Sequence, residues 1–190
     1  LVKPIIAIEP ARETFEILRT NAELNGGFHC LQAAIMDTDG ASVSVTGNRH
    51  ASRRVAAVGS PRASAGKEVV LSVTVDALIR RHCGGVSLVV TKLDIEGAEP
   101  QAFAGATRAL EAGYPVIFEC HGADLECRST GAALSHGLAV YFLTEQGKFI
   151  QITNLDALVR LKSDPNRGYN LLGVRPYSRF ERQFLRAYED

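Results

Sequence analysis

Three apolar segments of this sequence run into acids. Pro4–Ile8 is followed by Glu9-Pro10, and Val86–Leu93 by Asp94-Ile95-Glu96-Gly97-Ala98-Glu99. Pro115–Cys120 carries Glu119 near its end, with His121-Gly122 beyond it. The two oxygens of Glu9 suit a vicinal diol such as a ribose; equally, an acid is favoured at a helix start by the dipole. Asp94, Glu96 and Glu99 have three readings: oxygen ligands for a divalent cation, contacts to a bound cofactor or substrate, or charge on the first turn of a helix. Asp94 stands apart, because an unpaired charge directly after a buried strand is costly. Glu119 and His121 lie two apart, on one side of an extended backbone. They can form an acid/base pair, since imidazole titrates near neutrality, or His121 can be a loop residue without chemistry.

The elements that position these groups follow from periodicity. Short continuous apolar runs alternate with amphipathic stretches, the pattern of an α/β protein with a mainly parallel sheet. Strands are predicted at Pro4–Ile8, Phe28–Met36, Val86–Leu93 and Pro115–Cys120, the third buried on both faces. A helix after Glu9-Pro10 puts Ala11, Phe15, Leu18 and Ala22 on one face, pairs Arg12 with Glu16, and stops at Gly26-Gly27. Ala41–Thr46 alternates as a hairpin arm. Val69, Leu71, Val73 and Val75 alternate before Asp76, which can cap a helix through His82. Phe103, Ala106 and Leu110 face inward from a further helix. Leu138–Thr144 and Lys148–Thr153 flank Glu145-Gln146-Gly147 as a hairpin. Tyr169–Val174 is a strand and Phe180–Tyr188 an amphipathic helix.

In an open α/β sheet, ligands bind beyond the carboxyl ends of the strands, so Glu9, Asp94 and Glu119 with His121 are expected on one rim. Residues 47–68 show no period and carry Arg49, Arg53, Arg54, Arg62 and Lys67. This segment is either a solvated loop or a clamp for an anionic substrate.

The 190 residues, 46% hydrophobic and 22% charged, have the composition of one globular domain spanning 1–190. Formal net charge is zero, which points away from nucleic acid and from an anionic membrane as partners. No run approaches the ~18 apolar residues of a membrane span. None of the four cysteines, 30, 83, 120 and 127, forms a C-x-x-C pair, so no zinc or redox motif is expected. A reducing, cytoplasmic setting is the default. The opening Leu1-Val2-Lys3-Pro4 lacks an initiator Met and reads as cut from something longer.

Lys92-Leu93-Asp94-Ile95-Glu96-Gly97-Ala98-Glu99 resembles the K-x-D-x-E-G-x-E signature of FkbM-type methyltransferases. In the family's order, Ile8-Glu9-Pro10 is similar to its E-P, Leu18 to Asn25 to its L-x-x-N-x-x-x-N helix, and Thr74-Val75-Asp76 to its T-L-D. Phe118-Glu119-Cys120-His121 is similar to its E-x-H, and Tyr169-Asn170-Leu171-Leu172 to its final N-L-L strand. The resemblance implies a Rossmann-like class I methyltransferase sheet with an antiparallel last strand, and S-adenosylmethionine as cofactor. The methyl acceptor it implies is a hydroxyl of a small molecule or sugar. Carried over, Glu9 with Pro10 holds the ribose, and Asp94 lies near the methionine end of the cofactor. Glu119 and His121 face the acceptor, with Glu96 and Glu99 on the substrate side. Asp94, Glu119 and His121 are the candidate catalytic residues.

The family's first strand and glycine-rich turn have no counterpart here, since Gly26-Gly27 and Gly84-Gly85 do not follow a strand and open a helix. Without them the chain is expected to bind the cofactor poorly. The alternatives are a non-catalytic Rossmann-like binding domain and a metal-dependent hydrolase using Asp94, Glu96 and Glu99.

Overall fold

A computed structural model describes residues 4–47, 54–57 and 68–189. The chain divides into two compact units, Leu1–Gly85 and Val86–Asp190.

In the first unit, β1 (Ile6–Ile8) and β2 (His29–Leu31) pair in parallel around the connecting helix α1 (Arg12–Leu24). A four-stranded sheet has the order β3 (Ala34–Ile35), β6 (Glu68–Val73), β4 (Ser42–Thr46), β5 (Arg54–Ala57). β3 is parallel to β6, and the other two ladders are antiparallel. Helix α2 (Val75–His82) follows β6 directly. Ala11, Ala34, Val43, Val45 and Val70 form one buried cluster, and Val73, Ala77 and Leu78 another.

Several expectations shift here. Phe28–Met36 is not one strand: β2 joins β1 while β3 joins β6, so the chain changes sheets at Gln32-Ala33. The cap of α2 is Thr74, whose Oγ1 accepts from Ala77 N at 3.1 Å; Asp76 lies one residue inside the helix, favourable to the dipole. Glu16 pairs with Arg19 at 2.6 Å, one turn on, instead of with Arg12. The segment 47–68 contains β5, which completes the hairpin begun by β4. Arg49, Arg53, Arg62 and Lys67 lie outside the described residues, as does the side chain of Arg54.

The second unit is built on a five-stranded sheet. Its order is β10 (Phe149–Ile152), β9 (Ala139–Leu143), β11 (Gly168–Val174), β8 (Val116–His121), β7 (Thr91–Leu93). β7 and β8 are parallel, and β11 runs antiparallel between β8 and β9. Alternation along β8 sends Val116, Phe118 and Cys120 to a fully buried face, while Ile117, Glu119 and His121 take the other.

Phe118 meets Phe103 of α3 (Glu99–Ala104) edge-to-face, with centroids 5.2 Å apart. Ala106 and Leu110, at the start of and within α4 (Thr107–Glu111), are also buried, as their spacing suggests. On the opposite face Ile117, Tyr141 and Leu172 pack with Phe180 and Phe184 of α7 (Arg179–Glu189). Two helices had no sequence expectation, α5 (Arg128–Ser135) and α6 (Leu155–Leu161).

The segment Val86–Leu93 is paired only from Thr91, and Leu88 and Val90 are exposed instead of buried on both faces. β7 is an edge strand, and its partner β8 begins at Val116. Just before it, Pro115 has no amide hydrogen to offer the ladder and only accepts from Thr91 N, at 3.2 Å.

Candidate functional site

The parallel register of β7 on β8 places Leu93 opposite Phe118. One step further along both chains are Asp94 and Glu119, and their carboxyl groups are hydrogen-bonded to each other. Two acids can bond in this way only when one of them keeps its proton.

The structure decides which. Burial pushes Asp94 up, but the Lys92 ammonium, 3.0 Å from its Oδ2, and the bond from Glu119 outweigh it and hold Asp94 below its usual range. Burial, then the bond and charge of Asp94 and the charge of Glu96, push Glu119 up to about 7. Asp94 is the carboxylate and Glu119 the acid that titrates near neutrality.

Asp94 is therefore not the buried charge its position suggested. Its side chain is more than half exposed, so the burial acting on it is only partial, and its charge is met by Lys92. The buried acid of the motif is Glu99, 3% exposed, at the first position of α3. Its Oε1 accepts from Ile95 N at 3.1 Å, closing the turn 94–98 back on the helix start. Burial raises its proton affinity, against the backbone donors of Ile95 and Gly97. Glu96 takes a left-handed conformation, with φ 54°. Among the described residues no three His, Cys, Asp or Glu side chains are grouped so as to hold a metal ion.

His121 is exposed at the end of β8, and its Nδ1 accepts from Ala123 N at 3.2 Å. The carboxyl partner of Glu119 is Asp94, not His121, because parallel pairing puts Asp94 alongside it. In the first unit, Glu9 Oε1 accepts from Ala11 N at 2.8 Å, and Pro10 O accepts from Gln32 Nε2 at 3.4 Å. The start of α1 is held mainly by Glu68, whose two oxygens both accept from Arg12 N at 3.0 Å.

Two neighbours of Glu119 escaped sequence reasoning. Lys92 stands inside the motif, but the sequence alone gives it no role there. Gly168 pairs with His121 on β11, diagonally across from Glu119, and a methyl group added there would occupy the position of Glu119 Oε1. No local sequence signal marks Gly168, because its need for a bare Cα arises from the facing strand.

No curated protein and no solved structure matches the chain. The family described as Methyltransferase FkbM domain matches residues 2–150, which include β1, the turn 94–98 and all of β8. Over more than half of its length, then, the sequence carries this pattern, and the chain belongs to the FkbM methyltransferase domain family.

Proposed function

We propose that this chain is the catalytic part of an S-adenosylmethionine-dependent methyltransferase that acts on a hydroxyl of a small molecule or sugar. The observation that carries the reading is the Asp94–Glu119 pair, an exposed carboxylate bonded to an acid that titrates near 7. A hydroxyl oxygen must shed its proton as it accepts a methyl group. A base works best when its proton affinity lies near the working pH. Glu119, once ionised, takes that proton, and Asp94 with Lys92 holds its carboxyl in place. His121, on the same side of β8, borders the acceptor.

The donor set fits the cofactor, whose methionine end carries an ammonium group and a sulfonium. The carboxylate of Asp94 offers acceptors to such a cation, with Glu96 and Glu99 adding negative charge on the substrate side. In the first unit, taken by itself, Glu9 keeps a second oxygen beyond the one bonded to Ala11 N, and the family resemblance gives Glu9 and Pro10 the ribose. When bound, the cofactor supplies the electrophilic methyl group. Sheet order and the antiparallel placement of β11 support a Rossmann-like class I arrangement for the second unit.

The test is transfer of labelled methyl from S-adenosylmethionine to a panel of sugar and polyketide alcohols by the full-length protein. Labelled product that is lost in Glu119→Gln supports the reading. Methylation confined to amine or carboxylate acceptors, or unchanged in Glu119→Gln, overturns it.

A further inference from the structure

Behind the titrating pair, on the other face of β8, lies a cluster the reaction does not use. Lys162, the residue that ends α6, is only 8% exposed. Its ammonium has three donors, and all are taken. Nζ donates to His121 O at 3.0 Å, to Asp124 O, and to Cys120 Sγ at 3.5 Å. Cys120 is 1% exposed, and Cys127, wholly buried, donates to the same Asp124 carbonyl at 3.6 Å. The Asp124 carboxylate is engaged elsewhere, by Arg128 N at 3.0 Å and Nε at 3.4 Å. A primary amine is thus held against a thiol, with both side chains buried.

We propose that Cys120 and Lys162 are a site of oxidative modification, at which peroxide joins the two side chains through one oxygen atom as an N–O–S bridge. The first hydrogen peroxide oxidises the sulfur: an S–O bond forms, the O–O bond breaks, and Cys–SH becomes Cys–SOH with release of one water. The second removes two electrons from the facing pair. Starting from the ammonium–thiolate pair, the Lys162 ammonium gives the sulfenate the proton that makes it Cys–SOH and is left a neutral amine. The sulfenic O–H and one N–H of that amine are then lost, the N–O bond forms, and the peroxide leaves as two waters. The sum is Lys–NH2 + Cys–SH + 2 H2O2 → Lys–NH–O–S–Cys + 3 H2O.

Three features bear on this outcome. Peroxide attacks the thiolate; burial and the neighbouring Cys127 raise the proton affinity of the Cys120 thiol, and the Lys162 ammonium is the charge that works against them. Cys120 is too deeply buried to meet a bulky thiol such as glutathione, so a sulfenic acid formed there meets an internal partner first. The 3.5 Å contact puts nitrogen and sulfur within a short side-chain movement of the span of an N–O–S linkage. The proposal does not depend on the methyltransferase reading.

The experiment treats the full-length protein with hydrogen peroxide and measures intact mass and tryptic peptides. The expected product is about 14 Da heavier, one oxygen gained and two hydrogens lost, and returns to the starting mass with dithiothreitol. Cleavage after Lys162 is blocked, so the peptides 109–128 and 161–167 migrate as one linked species. Cys127→Ser retains the link, while Cys120→Ser and Lys162→Arg lose it. The wild-type peptide map decides the matter even if those variants fold poorly. A Cys120–Cys127 disulfide, about 2 Da lighter, a sulfinic acid at Cys120, or an unreacted Cys120 after the half-buried Cys30 and Cys83 have oxidised each overturns the proposal.

Discussion

Asp94 and Glu119, on neighbouring parallel strands, are bonded carboxyl to carboxyl, and the pair holds its proton on Glu119 because Lys92 stabilises the charge of Asp94. Parallel pairing brings the two acids level. The difference in their surroundings separates their proton affinities, which is what a site needs if one acid is to act as a base near neutral pH.

The pair makes stability depend on pH with a definite sign. Glu119 titrates at about 7 in the fold against 4.5 ordinarily. Between those values the folded protein keeps a proton that the unfolded chain has released. Stability is therefore highest below the window and falls as pH rises through it. Melting temperatures of wild type and Glu119→Gln from pH 4.5 to 8 should show a descending limb that is flatter in the variant. A residual slope from Glu99, also raised by burial, is expected to remain. Parallel curves would separate Glu119 from the effect.

For catalysis, Glu119→Gln is expected to lower kcat by about 10²–10⁴-fold, the usual contribution of a positioned base. The wild-type rate should climb with pH through about 7 as Glu119 ionises, and the variant should lose that limb. His121→Ala is expected to keep the limb and change KM for the acceptor. Single-turnover rates across pH 5.5 to 8.5 separate the two residues; a limb that disappears with His121 would make the histidine the base.

Gly168→Ala tests the positioning of Glu119 without touching an ionisable group. The added methyl collides with the glutamate carboxyl, the far end of a flexible side chain, which swings away. The fold should survive, the proton affinity of Glu119 should drop toward the ordinary range, and activity should fall by about 10²-fold, as for a misplacement of about 1 Å. Carboxyl carbon NMR reads the titration directly. An unshifted Glu119 would show that the contact with Asp94 had survived.

The buried amine also bears on stability. Lys162→Met keeps the apolar stem and takes one donor from each of the His121 and Asp124 carbonyls, which still accept from Asp124 N and Cys127 N. The loss expected is that of the ammonium's own hydrogen bonds, about 1.5–3 kcal/mol for a bond to a charged group, measured by urea unfolding. A loss near zero would mean that water replaces the ammonium.

Phe103→Ala opens the core between α3 and β8. The ring is wholly buried and packs edge-on against Phe118, so about 3–5 kcal/mol should be lost. Calorimetry provides the check, and a loss under about 1 kcal/mol would show a core able to collapse around the gap.

The sequence by itself determined the alternation of strands and helices, the acids at the strand ends, and the family signature at Lys92–Glu99. Continuous apolar runs and acids after them are local features, and local features survive in a linear reading. It also placed Glu119 and His121 on one side of β8, because a strand's side chains alternate. What it could not decide was partnership. Asp94 looked like a buried charge and is exposed, while Glu99, which could equally be a cation ligand, a substrate contact or helix-start charge, is the buried acid. Whether Glu119 faces His121 or Asp94 depends on the register of β7 against β8, and Gly168 matters only because β11 runs beside Glu119. The clamp of Lys162 on Cys120 joins residues 42 apart. Burial, register and proton affinity belong to pairs of distant residues, so only the folded chain sets them.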